Sequence, residues 1–183
     1  MSDTPESADL ADIVAASVDD LAATAAPTFD GAHFRAVLGH FCSGVVIITG
    51  MDGSEPVGLT CQSFVSLSLD PPLVAFCPGK SSSSWPRIQP SGAFCVNILA
   101  EEQEELCRVF ASKGADKFRG VGWRVGETGA PVLNDTLGYI DCRIETIHDA
   151  GDHVIVVGRV VDMNTGHGKP LLFYRGGYGR FEA

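Results

Sequence analysis

Long apolar runs are missing from this chain: the longest, such as Val45 to Ile48 and Val154 to Val157, fall far short of the roughly 20 residues needed to cross a bilayer. The first residues carry neither a basic start nor an apolar signal core, so export is not expected and the cytoplasm is the default location. Positive charge is scarce, with 13 Lys and Arg against 23 Asp and Glu. The resulting formal charge of −10 repels phosphate backbones, and no basic stripe offsets it, which argues against nucleic-acid binding. An anionic ligand must therefore be held by a local pocket. The six cysteines, at 42, 61, 77, 95, 107 and 142, form no C-x-x-C pair, which removes the common zinc and redox signatures and leaves reduced, buried thiols. His33, His40, His148 and His167 show no metal spacing either.

Two further devices are absent. No G-x-G-x-x-G follows a strand, and no G-x-x-x-x-G-K-[ST] occurs, so neither the common dinucleotide fingerprint nor the triphosphate loop is available. Regular strand–helix alternation is also missing, which disfavours a parallel nucleotide-binding sheet. With 183 residues, 45% of them apolar, the chain suffices for one ordinary domain with a real core.

The chain divides into an N-terminal extension, residues 1–28, and a body, residues 29–183. The extension is acidic and alanine-rich, yet Leu10, Ile13, Val14, Val18 and Leu21 fall at helical spacing behind Thr4-Pro5. A short amphipathic helix and a disordered tail both fit. In the body, Asp30 caps an expected helix carrying Phe34, Val37, Leu38 and Phe41 on one face. Strands are expected at Val45–Thr49 and Pro56–Thr60, joined by the Asp52-Gly53 turn, then at Phe64–Leu69 and Leu73–Phe76. Further strands are expected at Ala93–Leu99, Tyr139–Ile147, His153–Met163 and Leu171–Tyr174. Glu101–Ala111, with acids in its first turn and Leu106, Val109 and Phe110 on one face, reads as a helix. The fold class is therefore mainly β, an antiparallel β-barrel with helical decoration.

The most informative stretch is GLTCQSFVSLSLDPPLVAFCPGKSSSSW, Gly58 to Trp85. Gly58 allows close backbone approach, and the amides and side chains of Thr60, Gln62 and Ser63 suit the nitrogens and carbonyls along one edge of a flat ring. Ser81 to Ser84 precede Trp85-Pro86, where the proline suits a helix's first turn, so free amides, hydroxyls and Lys80 together can hold one phosphate. A serine-rich turn without a ligand is the plainer reading of the same loop.

Four blocks in order, GLTCQSFVSLSLDPPLV, SGAFCVNIL from Ser91, GDHVIVVGRV from Gly151 and PLLFYRGGY from Pro170, resemble the short-chain flavin reductase family. Its members are reductase components of two-component flavin-dependent monooxygenases, similar to nitrilotriacetate monooxygenase component B and the reductases for secosteroid and 4-hydroxyphenylacetate oxygenation. The resemblance, over roughly residues 29 to 181, implies an FMN-binding split β-barrel of Greek-key strands. It also implies a homodimer that takes FMN or FAD, accepts a hydride from NADH or NADPH, and passes reduced flavin to a separate oxygenase. The net negative charge points towards NADH.

On matching positions the resemblance puts Gly58, Leu59, Thr60, Cys61, Gln62, Ser63 and Ser66 along the isoalloxazine. Cys77, Pro78, Gly79, Lys80, Ser83 and Ser84 take the ribityl phosphate, and Asp152, His153 and Tyr178 lie where the nicotinamide stacks. Such a site needs no catalytic acid, because the cofactors supply the reactivity and the protein supplies distance and electrostatics. His153 is the one expected catalytic residue, hydrogen bonding to the reduced ring or, when protonated, balancing its charge. Without the resemblance, Gly151-Asp152-His153 reads as a turn, and Tyr178, among Gly176, Gly177 and Gly179, as a lid or an exposed C-terminal turn.

Overall fold

The computed structural model describes residues 30–114 and 116–182, and two compact units divide the chain between Leu38 and Gly39. The amphipathic helix read over Leu10 to Leu21 lies outside the described residues. In the first unit, helix α1 (Gly31–Leu38) begins where expected, because the Asp30 carboxylate accepts the His33 amide at 2.6 Å and satisfies an otherwise unpaired helix-start donor.

The second unit is built on one seven-stranded antiparallel sheet. Its strands are β2 (Val46–Asp52), β3 (Glu55–Cys61), β4 (Val65–Leu69), β5 (Pro72–Phe76), β6 (Ala93–Ile98), β9 (Gly138–Ala150) and β10 (His153–Thr165). They run in the order β3-β2-β6-β9-β10-β5-β4, so three sequence-local hairpins are joined through the non-local pairs β2–β6, β6–β9 and β10–β5. That reordering is the Greek-key character the sequence resemblance implied. Gly53, at φ 61°, turns the first hairpin as the Asp-Gly pair demands. A three-stranded sheet, β1 (Ser43–Gly44), β11 (Leu171–Tyr174) and β12 (Gly177–Arg180), and a two-stranded one, β7 (Trp123–Val125) and β8 (Pro131–Leu133), complete the unit.

Strand β2 explains its own composition. Successive side chains point to opposite faces, and here both faces are covered: Ile48 packs with Phe76, Phe94, Val96 and Val156, while Ile47 packs with Leu99, Phe110, Leu133 and Leu171. A strand buried twice over has to be continuously apolar. Helix α2 (Trp85–Ile88) closes the first core with Trp85 and Ile88. Helix α3 (Glu104–Ala111), entered through a 3-10 turn at Glu101–Gln103, closes the second with Cys107 and Phe110. Asn97 of β6 is fully buried beside the buried Thr49 of β2; its amide donates to the Ile47 carbonyl at 3.1 Å and to Thr49 Oγ1 at 2.9 Å. Its side-chain oxygen accepts the Leu133 amide at 2.8 Å, so it pins β8 to the sheet and leaves no unpaired group behind.

Candidate functional site

The end of β3 lies directly over α3. A Cβ on Gly58 would stand 2.5 Å from Phe110 Cε1 and 3.1 Å from the Ile48 carbonyl oxygen, so only glycine allows this strand and the Phe110 ring to approach so closely. One turn away, the Thr60 hydroxyl donates to the Cys107 carbonyl at 2.7 Å, fixing the strand end to the helix. Ser63 works in the same way between strands. Its hydroxyl accepts the Cys77 amide at 3.0 Å, donates to the Cys77 carbonyl at 3.1 Å and touches the Cys61 thiol at 3.1 Å. Burial raises the Cys61 thiol pKa and keeps it protonated. Thr60 and Ser63, expected to face a ligand with free hydroxyls, thus spend them on protein groups. Leu59 packs partly on the first core, while Gln62 and Ser66 are exposed.

Residues seventy positions apart meet next to this strand end. The Lys80 amide donates to the Asp152 carbonyl at 2.9 Å, the Val154 amide donates to the Pro78 carbonyl at 3.1 Å, and Gly79 bridges to His153. The Gly151-Asp152-His153 turn and the Cys77 to Lys80 loop are therefore one structural piece. The His153 ring stands beside Gly79, where a Cβ would lie 3.5 Å from Nε2. His153 Nδ1 lies 2.7 Å from Asp152 Oδ1, and this hydrogen bond holds the Asp152 carboxyl below its ordinary range.

The serine loop lines a cleft of about 230 Å³. Thr60, Gly79, Ser83, Ser84, Lys113 and Lys117 are among its walls, and no described carboxylate lines it. Two sets of expected phosphate donors have partners within the protein. The amides of Ser84 and Trp85 are not free, because the Ser82 hydroxyl accepts both, at 3.3 and 3.1 Å, as an internal cap for the short helix α2. Lys80 is not among the lining residues, because its ammonium pairs with Asp149 at 2.7 Å.

The cations facing the cleft instead come from the segment after α3, which the sequence reading passed over. Lys117 Nζ donates to the carbonyls of Gly58 at 3.1 Å and Phe110 at 2.9 Å and to Ser84 Oγ at 3.3 Å, tying strand, helix and serine loop together. Partial burial lowers its pKa from the ordinary lysine value. The signal available in sequence was only a lysine between Asp116 and Phe118 in a polar loop.

Tyr178 lies elsewhere on α3. It is part of β12, opposite Phe173 of β11, rather than in a loose turn. Its hydroxyl meets the Cys107 thiol at 3.2 Å, and the Arg108 guanidinium sits 4.6 Å over its ring. Burial and the Cys107 contact push its phenol up to about 12. Among the described residues, no hydrogen bond or ring contact joins it to Asp152 or His153.

Residues 38–182 match the flavin reductase like domain, which is most of the chain. The chain belongs to the flavin reductase-like family. Among curated relatives, the reductase subunit HsaB of a flavin-dependent monooxygenase from Rhodococcus jostii is 52% identical over 157 residues, 85% of this chain and 80% of that protein. Among solved structures, a nitrilotriacetate monooxygenase component B homologue from Mycobacterium thermoresistibile is 49% identical, with a TM-score of 0.80 over 82% of this chain and 86% of its own. The NADH:FAD oxidoreductase SgcE6 of Streptomyces globisporus, solved with NAD and FAD fragments, is 36% identical, with a TM-score of 0.79 over 86% and 98% of the two chains.

The residues of this flavin reductase fit a flavin phosphate on their own chemistry. In a protein of net charge −10, a cleft walled by serine hydroxyls and two lysines, with no described acid, is the donor set that a phosphate monoester requires. The split-barrel fold positions it by running the end of β3, the serine loop and the C-terminal end of α3 to one place.

Proposed function

We propose that this chain oxidises NADH and reduces FMN or FAD, handing reduced flavin to a separate oxygenase component. The observation that carries this reading is the carboxylate-free serine and lysine cleft lying beside the Gly79–His153 bridge. Ser83, Ser84 and Lys117 hold the flavin phosphate. The segment Gly58 to Ser63, with Ser66 and Cys77 to Gly79, lines the ring, largely through backbone groups and side-chain faces because Thr60 and Ser63 are bonded within the protein.

When bound, flavin supplies the redox chemistry, accepting the two electrons that nicotinamide gives up as hydride. The protein's own part is binding and placement. His153, held in orientation by Asp152, presents a ring nitrogen next to Gly79 and hydrogen bonds to the flavin edge. Lys80 shields this corner by neutralising Asp149 and does not contact the phosphate. Tyr178 acts from behind α3, where it supports Cys107 and through it Thr60.

The protein works as a homodimer in this reading. Edge strand β4 exposes Val65, Leu67 and Leu69, the last at 91%, an unpartnered apolar edge of the kind that a second copy covers. Six free thiols suit a reducing compartment, the cytoplasm. The deciding experiment is steady-state oxidation of NADH and NADPH with FMN and with FAD, together with light scattering for the dimer. Absence of NADH oxidation with either flavin would overturn the activity.

A further inference from the structure

Lys80 stands at the start of the serine loop, yet it does not line the cleft there, and both of its ends reach the hairpin between β9 and β10. Its amide donates to the Asp152 carbonyl at 2.9 Å, on the β10 side of the turn. Its ammonium pairs with Asp149 at 2.7 Å, on the β9 side. One residue, about seventy positions away in sequence, thus grips both arms of the hairpin tip.

The two grips are not equivalent. On the β10 side the tip is tied to the Cys77 to Lys80 loop by backbone alone, through the Lys80 amide, the Val154 amide on the Pro78 carbonyl at 3.1 Å and the Gly79–His153 bridge. An attachment along one line leaves rotation about that line. The Lys80–Asp149 pair is the second point of attachment, on the opposite arm, and it removes that rotation.

Packing does not do so in its place. Gly151 turns the tip at φ 66° with open space where a Cβ would stand, and the side chains of Asp152 and His153 are 95% and 48% exposed. Among the described residues the His153 ring has one hydrogen-bond partner, Asp152. The direction of the imidazole therefore follows the backbone of the tip.

We propose that Lys80 is a positioning residue for hydride transfer: by pairing with Asp149 it stops the hairpin tip from rolling on the flavin loop, and so fixes the His153 ring against the flavin edge. The inference rests on the role given to His153 under the proposed function. Exposed ion pairs contribute little to stability, so the effect falls on the geometry of the site and not on the fold.

The test compares the full-length parent with Lys80→Met, Lys80→Arg, Asp149→Asn, the charge exchange Lys80→Asp with Asp149→Lys, and His153→Ala with and without Lys80→Met. Lys80 and Asp149 are both exposed, so the fold should survive. Lys80→Met and Asp149→Asn should each lower kcat for NADH oxidation about two- to fivefold, with FMN Kd and Tm nearly unchanged. Lys80→Arg should keep the parent's kcat, and the charge exchange should recover it to within about twofold. In the His153→Ala background, Lys80→Met should cost nothing further. Amide hydrogen exchange without flavin gives a reading apart from catalysis: the Lys80 and Val154 amides should exchange about two- to fivefold faster in Asp149→Asn than in the parent.

Unchanged kcat or unchanged exchange, or a further loss from Lys80→Met on top of His153→Ala, would overturn the inference. So would a fall in FMN affinity relative to riboflavin in Lys80→Met, which would return Lys80 to the phosphate. A His153→Ala variant as active as the parent would show that the role given to His153 had failed, and a parent that oxidises NADH with neither flavin would remove the proposed function; either takes the inference with it.

Discussion

His153 Nδ1 is bonded to Asp152 Oδ1 at 2.7 Å, and the same two residues are tied by backbone bonds to the Cys77 to Lys80 loop. A solitary histidine at a turn is thereby given a fixed ring plane beside Gly79. Replacing His153 with Ala is expected to lower kcat for NADH oxidation about ten- to a hundredfold while changing flavin Kd by less than about threefold. Equal loss in both would make His153 a binding residue and no more. Asp152 has its pKa depressed by the histidine, so the contact is intact above the ordinary carboxylate value of 3.8 and is lost only as pH falls through the still lower folded value. Asp152 therefore contributes no acid limb to the pH profile near neutrality.

Lys117 offers a second test with its own pH signature. It contacts three protein oxygens at the serine cleft, and partial burial lowers its pKa from 10.5. Lys117→Met keeps most of the stem's packing and removes the charge. FMN affinity should fall about tenfold or more, with riboflavin affinity nearly unchanged. In the parent protein the preference for FMN over riboflavin should decline with rising pH before an ordinary lysine would titrate, because the ammonium is lost early. Ser83→Ala combined with Ser84→Ala should reduce the same preference. An unchanged ratio in both variants would remove the phosphate assignment.

The sequence made some of this architecture legible and hid the rest for physical reasons. Asp52-Gly53 announced its hairpin because few residues tolerate the positive φ that Gly53 adopts, and the apolar run at β2 announced a strand but not that both its faces are covered. Strands β7 and β8 were invisible, since three residues carry no periodicity and their pairing is stabilised by distant partners such as Asn97.

At the candidate site, adjacency in sequence does not become adjacency of charge in space. Lys80 stands beside four serines in sequence, yet it pairs with Asp149, while Lys117, 33 residues beyond Ser84, reaches the Ser84 hydroxyl. Proximity along a loop says little about where a flexible four-carbon side chain ends. Only the packing of α3 on β3 brings Lys117 in.

That packing predicts a sensitivity at Gly58. A methyl group there would stand 2.5 and 2.7 Å from two Phe110 ring carbons, with the Ile48 carbonyl on the other side, so neither the strand nor the ring has room to yield. Gly58→Ala should destabilise the protein by about 1–3 kcal/mol and lower Tm accordingly. Because Phe110 also lines the serine cleft, flavin affinity should fall with it. Unaltered Tm in a scanning calorimeter would mean that α3 moves more freely than its buried contacts imply.

Tyr178 separates two roles that the sequence left open. A residue stacking on nicotinamide and a residue propping up α3 both tolerate a change of the hydroxyl differently: stacking needs the ring alone, whereas the prop uses the bond to the Cys107 thiol. Tyr178→Phe keeps the ring against Phe173 and beneath Arg108 and removes only that bond. If Tyr178 acts through α3, the variant should lose about 0.5–1.5 kcal/mol of stability and some flavin affinity through Thr60, with KM for NADH unchanged. Tyr178→Ala then adds a packing loss, again without a selective effect on NADH. A several-fold rise in KM for NADH in the Ala variant, with flavin Kd and Tm held, would instead return Tyr178 to the nicotinamide. With a phenol pushed up to about 12, neither outcome should bring a new titration into the neutral range, so the pH profile of the Phe variant should overlay that of the parent.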